Sequence, residues 1–501
     1  MSTNEAPKPK ITIDGQSIEF KPGDTIMKAA ERARIDQGIP RFCYHPGLPV
    51  AGTCRMCTVE VEKAPKLMTA CSTPAADGMV VHTQSEKARK SRAGVMEFLL
   101  TNHPLDCPVC DQSGECSLQD YNYEYGPGTS QFYEEKRVFE DTSTKKLSDR
   151  LTLNMNRCIH CERCVRFTED VTKTNELLMN SRGWKKELTT ALEEGLFNEY
   201  QGNIADICPV GAITFNDFRF KKRVWFLKEK EGICDGCAKG CSVYADQENG
   251  IIYRYRARHN EAVNGHWICD EGRVSFHTYQ EPARVVQPLL ATQGMDQPTA
   301  TNWETLVPWL LKSVESAKRI LLVIGTDATS EEAANLLQIL PNFTRGEVIT
   351  RSFNGTNGVQ RSSDDAPLDK LLRRADKTPN TKGLELLGLQ PYSAEHDQGF
   401  DLAIYFRSGR AAIPTQKMAP VEIAWGVWNS QEAMRFAAVL PGLGTVEKAG
   451  SFTNCDGLTQ CFEPMVKAHG ASASVKKVLD GMRLKALAPI LAAREVTRDS
   501  V

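Results

Sequence analysis

The stretch CIHCERC, Cys158–Cys164, read together with ICPVGAI at residues 207–213, decides the architecture of this chain. Three cysteines at C-x2-C-x2-C spacing line one concave turn suited to three corners of an iron-sulfur cubane, and the distant Cys208-Pro209 supplies a fourth thiolate. Zinc sites usually come as two separated pairs, so this spacing predicts a 4Fe-4S cluster. Two-cluster ferredoxins carry two such runs and exchange fourth ligands between them. This segment has one run, so Cys208 is expected to complete the set of Cys158, Cys161 and Cys164. His160, inside the triplet, reads as an exposed residue or a neighbour of the ligands.

Three further donor sets flank this one. Downstream, Cys234, Cys237, Cys241 and Cys269 follow C-x2-C-x3-C-x27-C and precede Asp270-Glu271-Gly272-Arg273, a second 4Fe-4S candidate whose alternative is a zinc ribbon. Upstream, Cys107, Cys110 and Cys116 leave one ligand short in a run punctuated by Pro104 and Pro108. An imidazole can fill that place, and His103 stands four residues before Cys107. A histidine in such a run is commonly a turn or surface residue, but the incomplete cysteine set points to His103 as the ligand. Further upstream, Cys43, Cys54, Cys57 and Cys71 are spaced C-x10-C-x2-C-x13-C, with Gly47 and Gly52 to allow a tight loop whose N–H groups point at a cofactor. Four thiolates suit a 2Fe-2S cluster; the spacing departs from the plant ferredoxin C-x4-C-x2-C, and a structural zinc loop is the alternative.

The rest of the composition agrees with a metal protein. Of 17 cysteines, fifteen fall between Cys43 and Cys269, and only Cys455 and Cys461 lie beyond. MSTNEAPKPK at the start lacks the apolar run of a secretory signal and the pattern of a transit peptide, and nowhere do 18 apolar residues run uninterrupted. The expectation is a soluble cytoplasmic protein in a reducing pool, where disulfides are rare and metal binding is the default for cysteine. A net charge of -2 with both signs mixed along 501 residues gives no basic patch, so no nucleic-acid partner is expected. At roughly 150 residues per domain the length suggests about three or four domains.

Local patterns place the donor sets on elements. ITIDGQSIEF at residues 11–20 reads as two strands joined by Asp14-Gly15, a two-residue hairpin signal. TIMKAAERARI reads as a helix capped by Asp24 or Thr25, with Ile26, Ala29, Ala30 and Ala33 on one face. Strand, strand, helix is how a β-grasp ferredoxin domain begins. A further helix is expected to end in GVMEFLLTNHP. Beyond residue 280 the pattern turns α/β: RILLVIG (Arg319–Gly325), DLAIYF and FAAVLPG read as strands and SEEAANLLQIL (Ser330–Leu340) as a helix, which predicts a parallel sheet. The polar stretch Arg351–Pro391 reads as a long loop. PGLGTVE (Pro441–Glu447) lacks the third glycine of a dinucleotide fingerprint, and Gly325 reads as an ordinary strand-to-helix turn, so no dinucleotide site is expected in this half. Cys455 and Cys461, without nearby histidines, read as inert.

The order of CRMC, HPLDCPVCDQSGEC, CIHCERC with ICPVGAI, and CDGCAKGCSV with NGHWICDEGR resembles the large iron-sulfur subunit, the G or 75 kDa type, of respiratory complex I, the NADH:quinone oxidoreductase. The likeness is close over residues 10–275 and loose beyond. It implies one 2Fe-2S cluster on Cys43, Cys54, Cys57 and Cys71, and three 4Fe-4S clusters: on His103 with Cys107, Cys110 and Cys116, on Cys158, Cys161, Cys164 and Cys208, and on Cys234, Cys237, Cys241 and Cys269. The last is an extra cluster present in some bacterial members. The implied fold is an α+β N-terminal half, a β-grasp 2Fe-2S domain followed by 4Fe-4S domains, and then a shortened α/β relative of the molybdopterin oxidoreductase domain with no molybdopterin expected. The implied boundaries are 1–90, 91–150, 151–225, 226–282 and 283–501.

The resemblance further implies an electron carrier with no acid, base or nucleophile of its own. It would take electrons from a flavin- and NADH-binding subunit and deliver them toward quinone through other iron-sulfur subunits of the peripheral arm. The membrane arm would be reached only indirectly, and the chain would lie on the cytoplasmic side of the bacterial inner membrane without spanning it. Arg55, Arg157 and Arg163, beside expected ligands, are candidates for raising cluster potentials, because a cation favours the more negative reduced state. Two other classes compete. One is the cluster-carrying or catalytic subunit of a formate dehydrogenase or hydrogenase, against which stand the roughly 220 residues after Cys269 and their two cysteines. The other is a zinc-stabilised scaffold without redox chemistry.

Overall fold

Asp14 and Gly15 turn the chain where the sequence predicts a hairpin. Both are left-handed, with φ of 46° and 82°, as a type I′ turn requires. They join β1 (Lys10–Ile13) to β2 (Gln16–Glu19) in antiparallel register, Ile13 opposite Gln16. The chain continues into α1 (Ile26–Arg32), where the Thr25 side chain accepts from Lys28 N–H at 3.2 Å and is the cap. Asp24 instead pairs with Arg32 at 2.9 Å. Ile26, Ala29 and Ala30 bury the expected face. With β3 (Thr58–Val61), β4 (Met68–Thr69) and β5 (Val80–His82) the strands order β2-β1-β5-β3-β4, a mixed sheet whose β1–β5 pair is parallel. The Asp14 carboxylate accepts from Thr83 N–H at 2.7 Å and fixes the hairpin turn to the end of β5.

The structure is a computed structural model that describes residues 8–139, 144–292, 297–356, 359–360 and 365–496. Residues 1–7, on which the reading of the N-terminus largely rests, lie outside the described residues, as do six positions of the stretch Arg351–Pro391. Among the described residues no helix is long and apolar enough to cross a membrane. The chain divides into two units, Met1–Phe226 and Leu227–Val501.

In the first unit, α2 (Glu86–Leu100), capped by Ser85, and α3 (Ser117–Tyr125) follow the sheet. Arg92 of α2 is fully buried; it donates to the Thr58 carbonyl at 3.0 Å and its guanidinium lies over the Tyr125 ring, so one cation joins the helix to β3 and α3. Further on, Leu151–Leu153 pairs antiparallel with Ile213–Phe215, Leu153 opposite Ile213. Asn154 N–H donates to the Ala212 carbonyl at 2.7 Å and extends the pairing. Cys158 lies just past the first of these strands and Cys208 just before the second, so sheet pairing draws the two distant halves of the third set together.

The second unit begins with a three-stranded antiparallel sheet, Lys228–Ile233, Ser242–Glu248 and Ile251–Ala257. Its larger part is an eight-stranded sheet. Six strands are parallel, in spatial order Ala438–Pro441, Val421–Gly426, Leu402–Arg407, Arg319–Gly325, Glu347–Phe353 and Gln390–Pro391; the short strands Leu289–Leu290 and Thr299–Ala300 add antiparallel beyond Ala438–Pro441. The order reverses between Arg319–Gly325 and Leu402–Arg407, as in a doubly wound sheet. Arg319–Gly325 sits at its centre, and Ile320, Leu321, Leu322, Val323 and Ile324 are all fully buried, which is why it reads as an unbroken apolar run. Thr329 then opens the helix Ser330–Ile339 with a capping box to Glu332. The reading of Arg351–Pro391 as one loop is corrected: it contains the end of the strand Glu347–Phe353, a helix at Thr381–Leu386 and the edge strand Gln390–Pro391.

Ligands of doubly wound sheets bind at the carboxyl ends of the strands where the order reverses, here between Arg319–Gly325 and Leu402–Arg407. That crevice is spanned by Asp327, which accepts from Ser408 N–H at 3.0 Å and Ala411 N–H at 2.8 Å. Nor does PGLGTVE form a phosphate cradle: a Cβ on Gly444 would stand 2.2 Å from the Tyr279 ring, so that glycine serves close packing. Its neighbour Glu447 receives Arg284 at 2.6 Å, both buried, and His469 at 2.6 Å.

This buried pair ties residues 284 and 447 together and sets an acid limit on the second unit. Burial alone would raise the Glu447 carboxyl, but bonds from Arg284, its charge, the Gly444 amide and His469 hold it below the ordinary 4.5. A carboxylate whose folded pKa is depressed contributes stability above its unfolded pKa and loses it as pH falls through the folded one. Glu447→Gln is therefore expected to lower stability by about 3–5 kcal/mol at pH 7 and to flatten the acid side of the stability curve, both read by denaturant melts from pH 3 to 7.

Candidate metal centres

The first set converges within the first unit. Gly52, with φ of 68°, and Arg55, with φ of 61°, wind the loop between Cys43 and Cys57; Gly47 does not need the left-handed region. Cys43 N–H donates to the Cys54 sulfur at 3.4 Å. Hydrogen bonding among the thiols runs from Cys54 to Cys43, to Cys71 and to Cys57, lowering the pKa of Cys43 and Cys57 and raising that of Cys54 and Cys71. Cys43, Cys57 and Cys71 are buried and Cys54 is half-buried.

The third set lines one pocket, which holds Cys158, Cys161, Cys164 and Cys208 among Ile159, Met179, Leu188, Val210, Ala212 and Ile213. The turn of the triplet is made by left-handed His160 and Glu162, with φ of 55° and 60°. His160 N–H donates to the Cys158 sulfur at 3.4 Å while its ring bonds the Lys186 carbonyl at 3.0 Å, so this histidine shapes the turn from outside the donor set. Burial pushes Cys158 up to about 12 and Cys161 to about 11, and raises Cys164 and Cys208 too. Four such thiols lose protons only when a cationic group offsets their charge.

In the second set Cys107 and Cys110 act electrostatically on Cys116, which burial raises to about 11. Cys107 is exposed and the other two are half-buried. His103 has an enclosed Nδ1 with no hydrogen-bond partner among the described residues. Burial first, then the charge of Lys136, pushes its imidazole down to about 4, so it is neutral at pH 7 with a free lone pair. An enclosed ring nitrogen that no protein group satisfies, on a neutral imidazole, has the chemistry of a metal ligand.

The fourth set lies in the second unit, and all four sulfurs are buried. Cys234 and Cys241 close the hairpin between Lys228–Ile233 and Ser242–Glu248, Cys234 N–H donating to the Cys241 carbonyl at 2.7 Å. Gly236 N–H donates to the Cys234 sulfur at 3.4 Å and Gly272 N–H to the Cys269 sulfur at 3.3 Å. Gly272 has no room for a side chain: a Cβ there would lie 2.8 Å from the Cys234 sulfur and 3.4 Å from that of Cys269. Burial raises all four thiols, Cys237 to about 12. Cys455 is adjacent in space, its N–H donating to the Ala238 carbonyl at 2.8 Å, whereas Cys461 is exposed.

The first three sets share one wall. Phe42, Met56, Met96, Leu118, Tyr125, Val210 and Ala212 form a buried apolar cluster against which Cys54, Cys116, Cys158, Cys161 and Cys208 pack. Gly211 forms the contact between the second and third sets, since a Cβ on it would lie 2.2 Å from the Cys110 sulfur. The donors are thiolates and one neutral imidazole, with backbone N–H groups on several sulfurs, a chemistry that fits iron-sulfur groups. Among the described residues none of these groups closes on a single point as a one-ion site does.

Of the three arginines singled out beside the ligands, Arg55 is exposed and Arg157 is paired with Asp106 at 2.9 Å. Arg163 donates to the Ile207 carbonyl at 3.0 Å and the Tyr44 carbonyl at 2.6 Å, reaching two sets at once. Arg166 does likewise, and no local signal in the sequence marks it: its partners are the carbonyls of Pro49, Cys43 and Cys161.

Comparison with known proteins matches the stretches that carry the first three sets. Residues 8–86 match the 2Fe-2S iron-sulfur cluster binding domain family, residues 92–131 the NADH-ubiquinone oxidoreductase-G iron-sulfur binding region, and residues 148–214 the NADH-quinone oxidoreductase subunit 3, ferredoxin-like domain. The G-type subunit of NADH-quinone oxidoreductase from Rickettsia bellii (strain RML369-C) is 41% identical over 326 residues, 64% of this chain and 46% of the relative. The NADH-ubiquinone oxidoreductase 75 kDa subunit of Reclinomonas americana is 37% identical over 369 residues, 73% of this chain and 52% of the relative. A chain of an NAD+-reducing [NiFe]-hydrogenase in the H2-reduced state matches at 30% identity and a TM-score of 0.37, covering 44% of this chain and 92% of that one. The chain spans about half the length of the curated relatives it matches. It is thus a homologue of the G-type and 75 kDa subunits of NADH-quinone oxidoreductases, with a 2Fe-2S domain followed by 4Fe-4S regions in its N-terminal part.

Proposed function

We propose that this chain is the iron-sulfur electron-transfer subunit of an NADH:quinone oxidoreductase, relaying electrons from a flavin- and NADH-binding subunit toward quinone. Cys43, Cys54, Cys57 and Cys71 hold one 2Fe-2S cluster. His103 with Cys107, Cys110 and Cys116, then Cys158, Cys161, Cys164 and Cys208, then Cys234, Cys237, Cys241 and Cys269 hold three 4Fe-4S clusters. When bound, these groups supply one-electron oxidation and reduction. The chain's own residues supply ligands, a dry apolar surround and N–H groups that stabilise charge on sulfur. The observation that carries the reading is the gathering of three donor sets around the wall of Phe42, Met56, Met96, Leu118, Tyr125, Val210 and Ala212, because electron transfer needs centres close together and shielded from water.

The finer assignments belong to the same proposal. Residues 1–90 form a β-grasp 2Fe-2S domain, 91–150 and 151–225 two 4Fe-4S domains, and 226–282 a molybdopterin-oxidoreductase-type 4Fe-4S domain. Residues 283–501 form an α/β domain of the molybdopterin-oxidoreductase type without its cofactor; the carboxylate of Asp327 across the switch point of the sheet supports that reading. The partners are the flavin subunit and further iron-sulfur subunits of the peripheral arm, on the cytoplasmic side of a bacterial inner membrane.

Iron and acid-labile sulfide analysis of the purified chain, with electron paramagnetic resonance of the reduced protein, is expected to show both elements and both cluster types; a colourless protein holding only zinc would end the proposal. His103→Cys replaces a neutral ligand with an anionic one and is expected to lower the midpoint of one 4Fe-4S signal in a redox titration, whereas an unchanged spectrum and midpoint would remove His103 from the ligand set. Gly272→Ala is expected to lose the iron of the fourth set and leave the other signals in place, as iron content and spectra of the same sample can tell.

A further inference from the structure

Arg163 and Arg166 stand one helical turn apart on the short helix Arg163–Arg166, between the first and third cysteine sets. Together they donate to carbonyls on both sides: Tyr44, Cys43 and Pro49 in the loop of the first set, Ile207 and Cys161 in the third. The Nε atoms of both arginines are enclosed and unpartnered among the described residues. Among the described residues neither guanidinium has a carboxylate partner, while the neighbouring cations do: Arg157 has Asp106 and Lys186 has Glu162 at 2.6 Å. A shielded cation that meets only neutral carbonyls is costly unless an anion offsets it.

We propose that Arg163, seconded by Arg166, is a positioning residue shared by the first and third sets: it ties their loops at a fixed separation and serves as the common counter-charge that raises the reduction potential of both. The proposal rests on the cluster assignment above. One-electron reduction adds one negative charge to a site and breaks no bond, so a fixed cation beside two sites favours the reduced form of each. Arginine suits the place because its planar fork reaches two carbonyls in different directions while keeping its charge, where a lysine offers the charge from a single point.

The test uses the full chain loaded with iron and sulfide, comparing wild type with Arg163→Gln and Arg163→Lys by iron content and by redox titration followed with electron paramagnetic resonance. Arg163→Gln is expected to lower the midpoints of the 2Fe-2S signal and of the third-set 4Fe-4S signal together. At fixed ambient potential each reduced-to-oxidised ratio should fall about tenfold, equivalent to about 59 mV for one electron. Arg163→Lys should recover most of that shift in both. If Arg163→Gln disrupts loading, joint loss of these two signals with retention of the others supports the tie, and loss of only one overturns it. Both midpoints unmoved in Arg163→Gln, or moved equally in Arg163→Lys, would also overturn the proposal. A wild-type chain without iron and sulfide would fail at the underlying assignment, which the first sample reveals before any variant is compared.

Discussion

Closely spaced thiols buried beside an apolar wall are the constraint to which most local structure in this chain answers. In the second, third and fourth sets burial drives the enclosed thiols toward the protonated form, and the charge of neighbouring cysteines adds to that drive at most of them. The fold meets that cost locally with backbone N–H groups, obtained by winding loops through left-handed residues such as Gly52, Arg55, His160 and Glu162. It meets the cost at longer range with Arg163 and Arg166, whose positive charge lies between two sets. Sheet pairing then does what no loop can, bringing Cys208 to a triplet more than forty residues away in the chain.

Much of this was legible in the sequence because it is written in short spacings. Cysteines two or three residues apart, Asp14-Gly15 between alternating apolar runs, and the unbroken RILLVIG each fix a local conformation with local information. His103 was singled out only by subtraction, from a set one ligand short; in the structure its Nδ1 is enclosed and has no hydrogen-bond partner among the described residues. What escaped was what depends on partners far along the chain. Arg166 meets Cys43 and Pro49 across more than a hundred residues, and no spacing announces it. Val421–Gly426 carries Glu422 and Trp425 within its apolar run and did not stand out as a strand; in the sheet, Glu422 is buried and accepts from the Tyr405 hydroxyl at 2.7 Å. Arg351–Pro391 looked like loop because its helix and edge strand are too short to show a period.

The second unit combines a cluster-type donor set on an antiparallel hairpin with a doubly wound sheet whose usual binding crevice is spanned by Asp327. To this it adds the buried pairs Arg284–Glu447 and Lys448–Glu332, the latter at 2.5 Å. Such pairs add little net stability over apolar packing, but they fix register, because either partner left alone is strongly unfavourable. Buried ion pairs of this kind hold the loops that carry them in place.

The strands at the two edges of the eight-stranded sheet, Gln390–Pro391 and Thr299–Ala300, are each two residues long, and one of them ends in proline, which has no N–H to offer. A sheet of this breadth would otherwise present long rows of unpaired backbone groups to any similar chain nearby. The short edges give a second molecule almost nothing to pair with. The broadest sheet of the chain is therefore closed to edge-to-edge stacking by the shortness of its own outer strands.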